Sequence, residues 1–285
     1  MNVKEILNRT PPVILYHYTN QRGLLGILSS KEIWASHTQY LNDAREFQHA
    51  IDLMKEELSR MKAEAAYRDK GHLVAEIEEA LTLKGIGNVN VCVCSFSQNG
   101  DLLSQWRAYG GGSGFSIGFP GDFLRAVANE HSSWLAPVLY GDHEQREFVR
   151  TLLNDVLTEN LQRGTTQNGN DNDSLPVGGN LLAYLNRYAP IVKHKSFSEE
   201  REWRIITRPM ACSNKQFGYR EGFSMLIPYF RIGLASEQEK LMIKEIVVGP
   251  TPHPEQSFHS LRGLLVGQKM KEVAVRNSET PYRNW

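Results

Sequence analysis

The chain has 285 residues, 41% of them hydrophobic, and zero formal net charge from 32 Lys+Arg against 32 Asp+Glu. That length and apolar share allow one large core, and balanced charge argues against a mainly electrostatic nucleic-acid binder. No apolar run reaches the roughly 18 residues of a transmembrane helix, and Met1-Asn2-Val3-Lys4-Glu5 carries no signal-peptide core, so a cytoplasmic protein off the membrane is expected. Residues 4–9 read as a helical turn ending before Pro11-Pro12. Leu15-Tyr16-His17-Tyr18-Thr19 follows as a strand. Strand side chains alternate, so Leu15, His17 and Thr19 share one face and Tyr16 and Tyr18 the other. Leu24, Leu25, Ile27 and Leu28 give the next helix its apolar face, and residues 31–36 read as extended.

A long amphipathic helix then carries Phe47, Ile51, Met54, Leu58 and Met61, with Asn42 or Asp43 as its cap. A second uses Leu73, Ile77 and Leu81. From Val89 to Phe96 the period changes to two, with Val91 and Val93 opposite Cys92 and Cys94. With Cys212 far away, these read as reduced thiols, not a disulfide framework. Gly110-Gly111-Gly112-Ser113-Gly114 leads into a strand with Phe115, Ile117 and Phe119 on one face. Ser116 and Gly118 leave room on the other. A strand near Val138-Leu139-Tyr140, a helix on Phe148, Leu152 and Val156, a polar loop over 163–180 and a helix near 180–189 come next. Glu199 to Thr207 reads as a strand with Trp203 and Ile205 inward and Glu200, Glu202 and Arg204 on the other face. Strands near Met225–Ile227, Ile243–Val248 and Glu272–Val275 follow, with a helix on Phe258, Leu261 and Leu265 before the last. The irregular interleaving favours α+β over a doubly wound sheet. One domain, 1–285, is expected, with a helical insertion over about 43–84 and a surface loop over about 163–180.

Three constellations carry chemistry. His17 sits mid-strand, where an imidazole N–H suits donation to a ribose hydroxyl, although a hydrogen-bonded structural histidine is the commoner case. Trp106-Arg107-x-Tyr109 offers rings to stack on a flat ligand and a guanidinium to pair with phosphate; core packing is its plain alternative. Glu200-x-Glu202-Trp203-Arg204 brings two carboxylates together, where like charge raises one pKa. One would stabilise a sugar carbon that turns positive, or deprotonate a nucleophile, unless salt bridging accounts for both. No H-E-x-x-H, C-x-x-C or G-x-x-x-x-G-K-[ST] element is present, so no metal is expected. A Cys–His pair of Cys92 or Cys94 with His17 is weaker than two inert buried thiols.

Leu15-Tyr16-His17-Tyr18-Thr19, Leu41-Asn42-Asp43-x-x-Glu46, Ser104-Gln105-Trp106-Arg107-x-Tyr109, Gly114–Phe119 and Glu200-x-Glu202-Trp203-Arg204 occur in that order. Over residues 13–250 they resemble a widespread bacterial family of uncharacterised proteins with a Y-H-Y-T start and an E-x-E-[aromatic]-R end. That family in turn resembles the ADP-ribosyltransferase superfold. The resemblance implies a split-sheet α+β core that clamps NAD and transfers ADP-ribose to an unknown protein or nucleic-acid acceptor. It assigns the catalytic carboxylate to Glu202, the acceptor-activating position to Glu200, the ribose contact to His17 and the ring on nicotinamide to Tyr109 or Tyr18. Thr19, Arg22, Trp106, Arg107 and Arg204 become further cofactor contacts. Toxin or phage-defence settings are the contexts it suggests. A non-catalytic NAD, nucleotide or RNA module, an NAD glycohydrolase and an RNA 2′-phosphotransferase are the alternatives.

Overall fold

The computed structural model describes residues 3–41, 45–81, 90–110, 113–165, 177–222, 224–235 and 241–282. The chain opens with α1 (Val3–Leu7), β1 (Ile14–Thr19), α2 (Gln21–Ser30), β2 (Glu32–His37), α3 (Arg45–Ala63), α4 (Gly71–Ala80) and β3 (Cys92–Ser97). It continues through α5 (Leu103–Tyr109), β4 (Phe115–Pro120), α6 (Gly121–Glu130), β5 (Trp134–Pro137), α7 (Asp142–Thr165) and α8 (Val177–Tyr188). A 3-10 turn (Lys195–Glu200) leads to β6 (Glu202–Ile206), β7 (Phe217–Glu221), β8 (Leu226–Gly233), β9 (Glu245–Val248), α9 (Pro254–Gly267) and β10 (Ala274–Asn277). No helix among the described residues is long and apolar enough to cross a membrane.

The architecture is mixed α+β around one large sheet, in the order β10-β9-β4-β1-β3-β2-β8-β7, with β6 also beside β3 and β5 beside β6. Among the described residues every pairing between these strands is antiparallel except β9 with β10. The period-two alternation sorts the faces. Leu15, Cys94, Phe96, Ile117, Phe119, Trp203 and Ile205 form one core with Leu24 of α2, Leu124 of α6 and Leu261 of α9. Val93 and Ile206, one residue out of step, face the opposite way into a second core with α3, α4, α7 and α8. Met54, Leu58, Leu73, Ile77, Leu152 and Val156 are its helical share.

Several expected elements move. The expected helical insertion contains α3 and α4, which pack on α7 and α8 as part of the second core. Residues 43, 44 and 82–84 of it, and the Asn42 and Asp43 caps, lie outside the described residues. Of the expected 163–180 loop, 163–165 end α7, 177–180 begin α8, and 166–176 lie outside the described residues. The strand placed at 138–140 is β5, at Trp134–Pro137, while Leu139 makes only an isolated bridge to Val192. The room at Gly118 is filled from within, because a Cβ there would lie 3.0 Å from the Tyr16 ring. Gly114 likewise permits a close chain crossing: its Cβ would lie 2.8 Å from the Thr19 carbonyl oxygen.

The sheet forks at β3. One edge of β3 pairs with β6 along its length, from Val93↔Ile206 to Ser97↔Glu202. The other edge is shared. β1 takes its C-terminal end through Tyr16↔Ser97, and β2 takes its N-terminal end through Ser36↔Val93 and His37↔Cys92. Between these pairings Ser95 faces a side chain instead of a strand. His17 Nδ1 meets its carbonyl oxygen at 3.0 Å, so an imidazole supplies the bond that a ladder partner otherwise makes.

Candidate functional site

A cleft of about 620 Å³, counting its open mouth, occupies the fork. Tyr16, His17 and Tyr18 line it from β1, Trp34 and Ser36 from β2, and Val93 to Ser97 from β3. Gln105 and Tyr109 of α5, Leu41, Glu200 and Glu202 complete the wall.

His17 is desolvated, and burial lowers its pKa, so the ring is neutral at pH 7. A carbonyl only accepts, so Nδ1 carries the proton toward Ser95 and Nε2 keeps its lone pair. This corrects the expected donor: His17 offers a ligand hydroxyl an acceptor. Cys94 Sγ lies 3.9 Å from Nδ1. Burial, then the charge of Glu202, pushes the Cys94 thiol far up, and burial pushes Cys92 up to about 12. Neither is a thiolate nucleophile at neutral pH.

The two carboxylates do not share a strand. Glu202 begins β6, but Glu200 ends the 3-10 turn, and Arg201 between them adopts a left-handed φ of 42°. The turn is tied to β3, where Ser97 Oγ donates to the Glu200 carbonyl at 2.7 Å. Both carboxylates still line the cleft. Behind them lies a buried charge cluster. Arg204, 2% exposed, grips Glu202 through Nε and Nη2 at 2.8 Å each and Glu46 through Nη1 and Nη2 at 2.9 Å each. Its Nη1 also donates to the Pro190 carbonyl at 2.9 Å. Lys193 Nζ reaches Glu200 at 2.6 Å, Glu202 at 3.1 Å and Glu46 at 3.3 Å.

These surroundings drive the two carboxyls apart. Burial would raise Glu202, but Arg204 and Lys193 outweigh it and hold the carboxyl at about 2. Burial raises Glu200, and the single contact with Lys193 does not cancel it. Glu202 is therefore a fixed negative charge, and Glu200 the member that exchanges a proton more readily.

Tyr109 closes α5 and stands 43% exposed at the cleft rim. Tyr18 is 6% exposed and its hydroxyl is committed, donating to the Asn99 carbonyl and accepting from the Leu102 N–H, both at 2.8 Å. Of the two rings expected against nicotinamide, Tyr109 is the one open to a ligand. The other expected contacts stand off the wall. Trp106 is buried edge-on against Tyr18 with Nε1 donating to Asp101 at 2.7 Å. Arg107 is exposed over the Tyr282 ring, Arg22 is exposed in the first turn of α2, and Thr19 packs against Gly23. Arg204 is spent on carboxylates.

Glu46, part of the Leu41-Asn42-Asp43-x-x-Glu46 motif, and Lys193, which the sequence reading does not single out, also belong to the site. A signal existed for each. Glu46, Ala50, Met54 and Leu58 recur every four residues, so a carboxylate interrupts the buried stripe of α3. Lys193 ends the buried run Ala189 to Val192. A buried charge in either place requires a partner.

No curated protein and no solved structure matches the chain. Residues 105–205, which carry Tyr109, Lys193, Glu200, Glu202 and Arg204, match the family described as "Protein of unknown function (DUF2971)".

Proposed function

We propose that the cleft binds NAD by its nicotinamide–ribose half and breaks the glycosidic bond, passing ADP-ribose to a protein or nucleic-acid acceptor or to water. One observation carries this reading. His17, Tyr109, Glu200 and Glu202, from segments far apart in sequence, line a single cleft. Three carboxylates against Lys193 and Arg204 leave that wall with an excess of negative charge whenever Glu200 is ionised. Such a wall suits a cationic ring and a sugar carbon that turns positive as the bond breaks. Among the described residues no lysine or arginine lines the cleft, so it favours the nicotinamide riboside end over a diphosphate.

NAD supplies a bond whose leaving group departs neutral with the bonding pair. Glu202, ionised at any pH above about 2, faces the developing charge. His17 Nε2 accepts from a ribose hydroxyl and fixes the sugar. Glu200, with its raised pKa, takes the proton of the attacking hydroxyl, amide or water. Tyr109 closes the rim over the base. The alternative of binding without turnover draws on the two-point grip of Arg204 on Glu202, which occupies acceptor positions a substrate needs.

Nicotinamide release by the purified protein tests the proposal, comparing wild type, Glu202→Gln and His17→Ala with and without cell lysate. Release that needs both residues and rises with lysate supports a transferase; release indifferent to lysate supports a glycohydrolase. NAD binding with no release under any condition supports the module. Full turnover by a folded Glu202→Gln protein removes the carboxylate from the mechanism.

A further inference from the structure

We propose that the sheet face beside the cleft, formed by β2, β8 and β7, seats a nucleoside diphosphate, with Trp34 and Tyr229 under the base and Arg220 on the phosphates. Alternation in β2 buries Ile33 and Ala35 in the core and turns Trp34 and Ser36 to the opposite side. Register carries the same side across the sheet, through Trp34↔Arg231 and Ser36↔Tyr229 to Gly218↔Tyr229 and Arg220↔Ile227. On it Trp34, 47% exposed, stacks with Tyr229 at 4.2 Å between centroids and 21° between planes. Gly218 makes this geometry possible: a Cβ there would lie 3.1 Å from both Cζ and the hydroxyl of Tyr229. The result is an aromatic ledge of two rings stacked face to face from neighbouring strands, a stack that a base would extend from the exposed Trp34.

The ledge is continuous with the cleft, since Trp34 and Ser36 line both. Arg220 Nη2 lies 3.2 Å from Ser36 Oγ, which fixes a guanidinium at the cleft mouth. Among the described residues it pairs with no carboxylate. Arg231 adds a second positive charge and donates to the Lys215 carbonyl at 2.5 Å; Glu32 shares the face at the far end of β2 from Ser36. A base π-face on stacked rings and a charge-assisted bond from a fixed guanidinium are what a nucleotide requires of a protein. The placement also complements the cleft, whose own wall is anionic and offers a diphosphate no cation. It extends the reading above to the other half of the dinucleotide.

Calorimetry of the full chain with ADP and with adenosine tests it, because neither ligand carries nicotinamide. Wild type is expected to bind ADP. Arg220→Gln should weaken ADP by about tenfold or more and leave adenosine unchanged, whereas Arg220→Lys should keep ADP within a few-fold. Trp34→Leu should weaken both ligands by about tenfold. Gly218→Val, which pushes Tyr229 off the ledge, should resemble Trp34→Leu. No ADP binding by wild type, or ADP affinity indifferent to Arg220→Gln and Trp34→Leu, overturns the assignment. Nicotinamide release without ADP binding upholds the glycosidic reading and sinks this one. ADP binding that depends on Arg220, with no nicotinamide release, does the reverse.

Discussion

Arg204→Met tests the charge cluster that holds Glu202. The substitution keeps a long apolar stem and removes the guanidinium that bridges Glu46 and Glu202. Lys193 is then left to face the three carboxylates Glu46, Glu200 and Glu202. Stripping one partner from a buried pair costs about 3–5 kcal/mol. For 285 residues the unfolding entropy is about 0.6 kcal/mol/K, so the loss converts to a fall in Tm of about 5–8 °C. The pH dependence adds a second, independent reading. In the wild type Glu202 is held at about 2, below its ordinary 4.5, so its contribution is complete above about 4.5 and is lost as pH falls toward 2. Without Arg204, burial is no longer outweighed and the Glu202 carboxyl rises. The native variant then takes up a proton more readily, and its deficit against wild type should shrink as pH drops from 7 toward 4. Thermal melts followed by circular dichroism across that range measure both quantities. A Tm within about 2 °C of wild type at pH 7, or a deficit that stays constant with pH, would refute the argument.

Glu200→Gln should behave oppositely. Burial raises Glu200, so the ionised form costs stability as pH rises through 4.5 toward its folded pKa. Glutamine keeps an acceptor for Lys193, now 2.6 Å away, so Tm at pH 7 should equal or exceed that of wild type. A fall of more than about 3 °C contradicts this. Gly249→Ala should destabilise by about 1–3 kcal/mol, because its Cβ would stand 2.8 Å from the Trp106 ring and 2.9 Å from the Gly114 carbonyl oxygen. An unchanged melting curve would show that Trp106 yields freely. Of the three free cysteines, exposed Cys212 alone should react with a thiol reagent in the native protein, with buried Cys92 and Cys94 following on denaturation; fast labelling of all three disproves the burial argument.

Periodicity made part of this legible. The alternation in β1, β3 and β4 told which residues share a face, because one face of each strand enters an apolar core. The stripes of α3, α7 and α9 were readable for the same reason. Three things were not. β7 is an edge strand with a mostly half-exposed pattern, Phe217–Glu221, and offers little contrast in hydrophobicity. The break between Glu200 and Glu202 depends on Arg201 adopting a conformation that a non-glycine residue seldom takes. The fork depends on long-range pairing: nothing local to β3 says that its edge is divided between β1 and β2. That division decides that His17 bonds a carbonyl and thus presents an acceptor. Trp106 illustrates the converse. Its aromatic character suggested a stacking surface, but an indole with a buried N–H partner in Asp101 is satisfied inside the fold.

A buried cluster of five charged groups is a poor way to gain stability, since apolar side chains of similar volume usually do as well or better. Its value here lies in geometry. Arg204 and Lys193 connect α3, the stretch from Pro190 to Lys193, the 3-10 turn and β6 at one point, and so tie the helical lobe to the forked sheet. A planar guanidinium held along two of its edges fixes the rotamer of Glu202 in a way that a lysine or an apolar contact does not. The same grip removes Glu202 from proton chemistry by holding it ionised. Glu200, with Lys193 as its salt-bridge partner and a pKa raised by burial, keeps the capacity to exchange protons. In the reaction proposed for this cleft the two carboxylates divide the labour: Glu202 supplies a positioned charge, and the proton passes through Glu200.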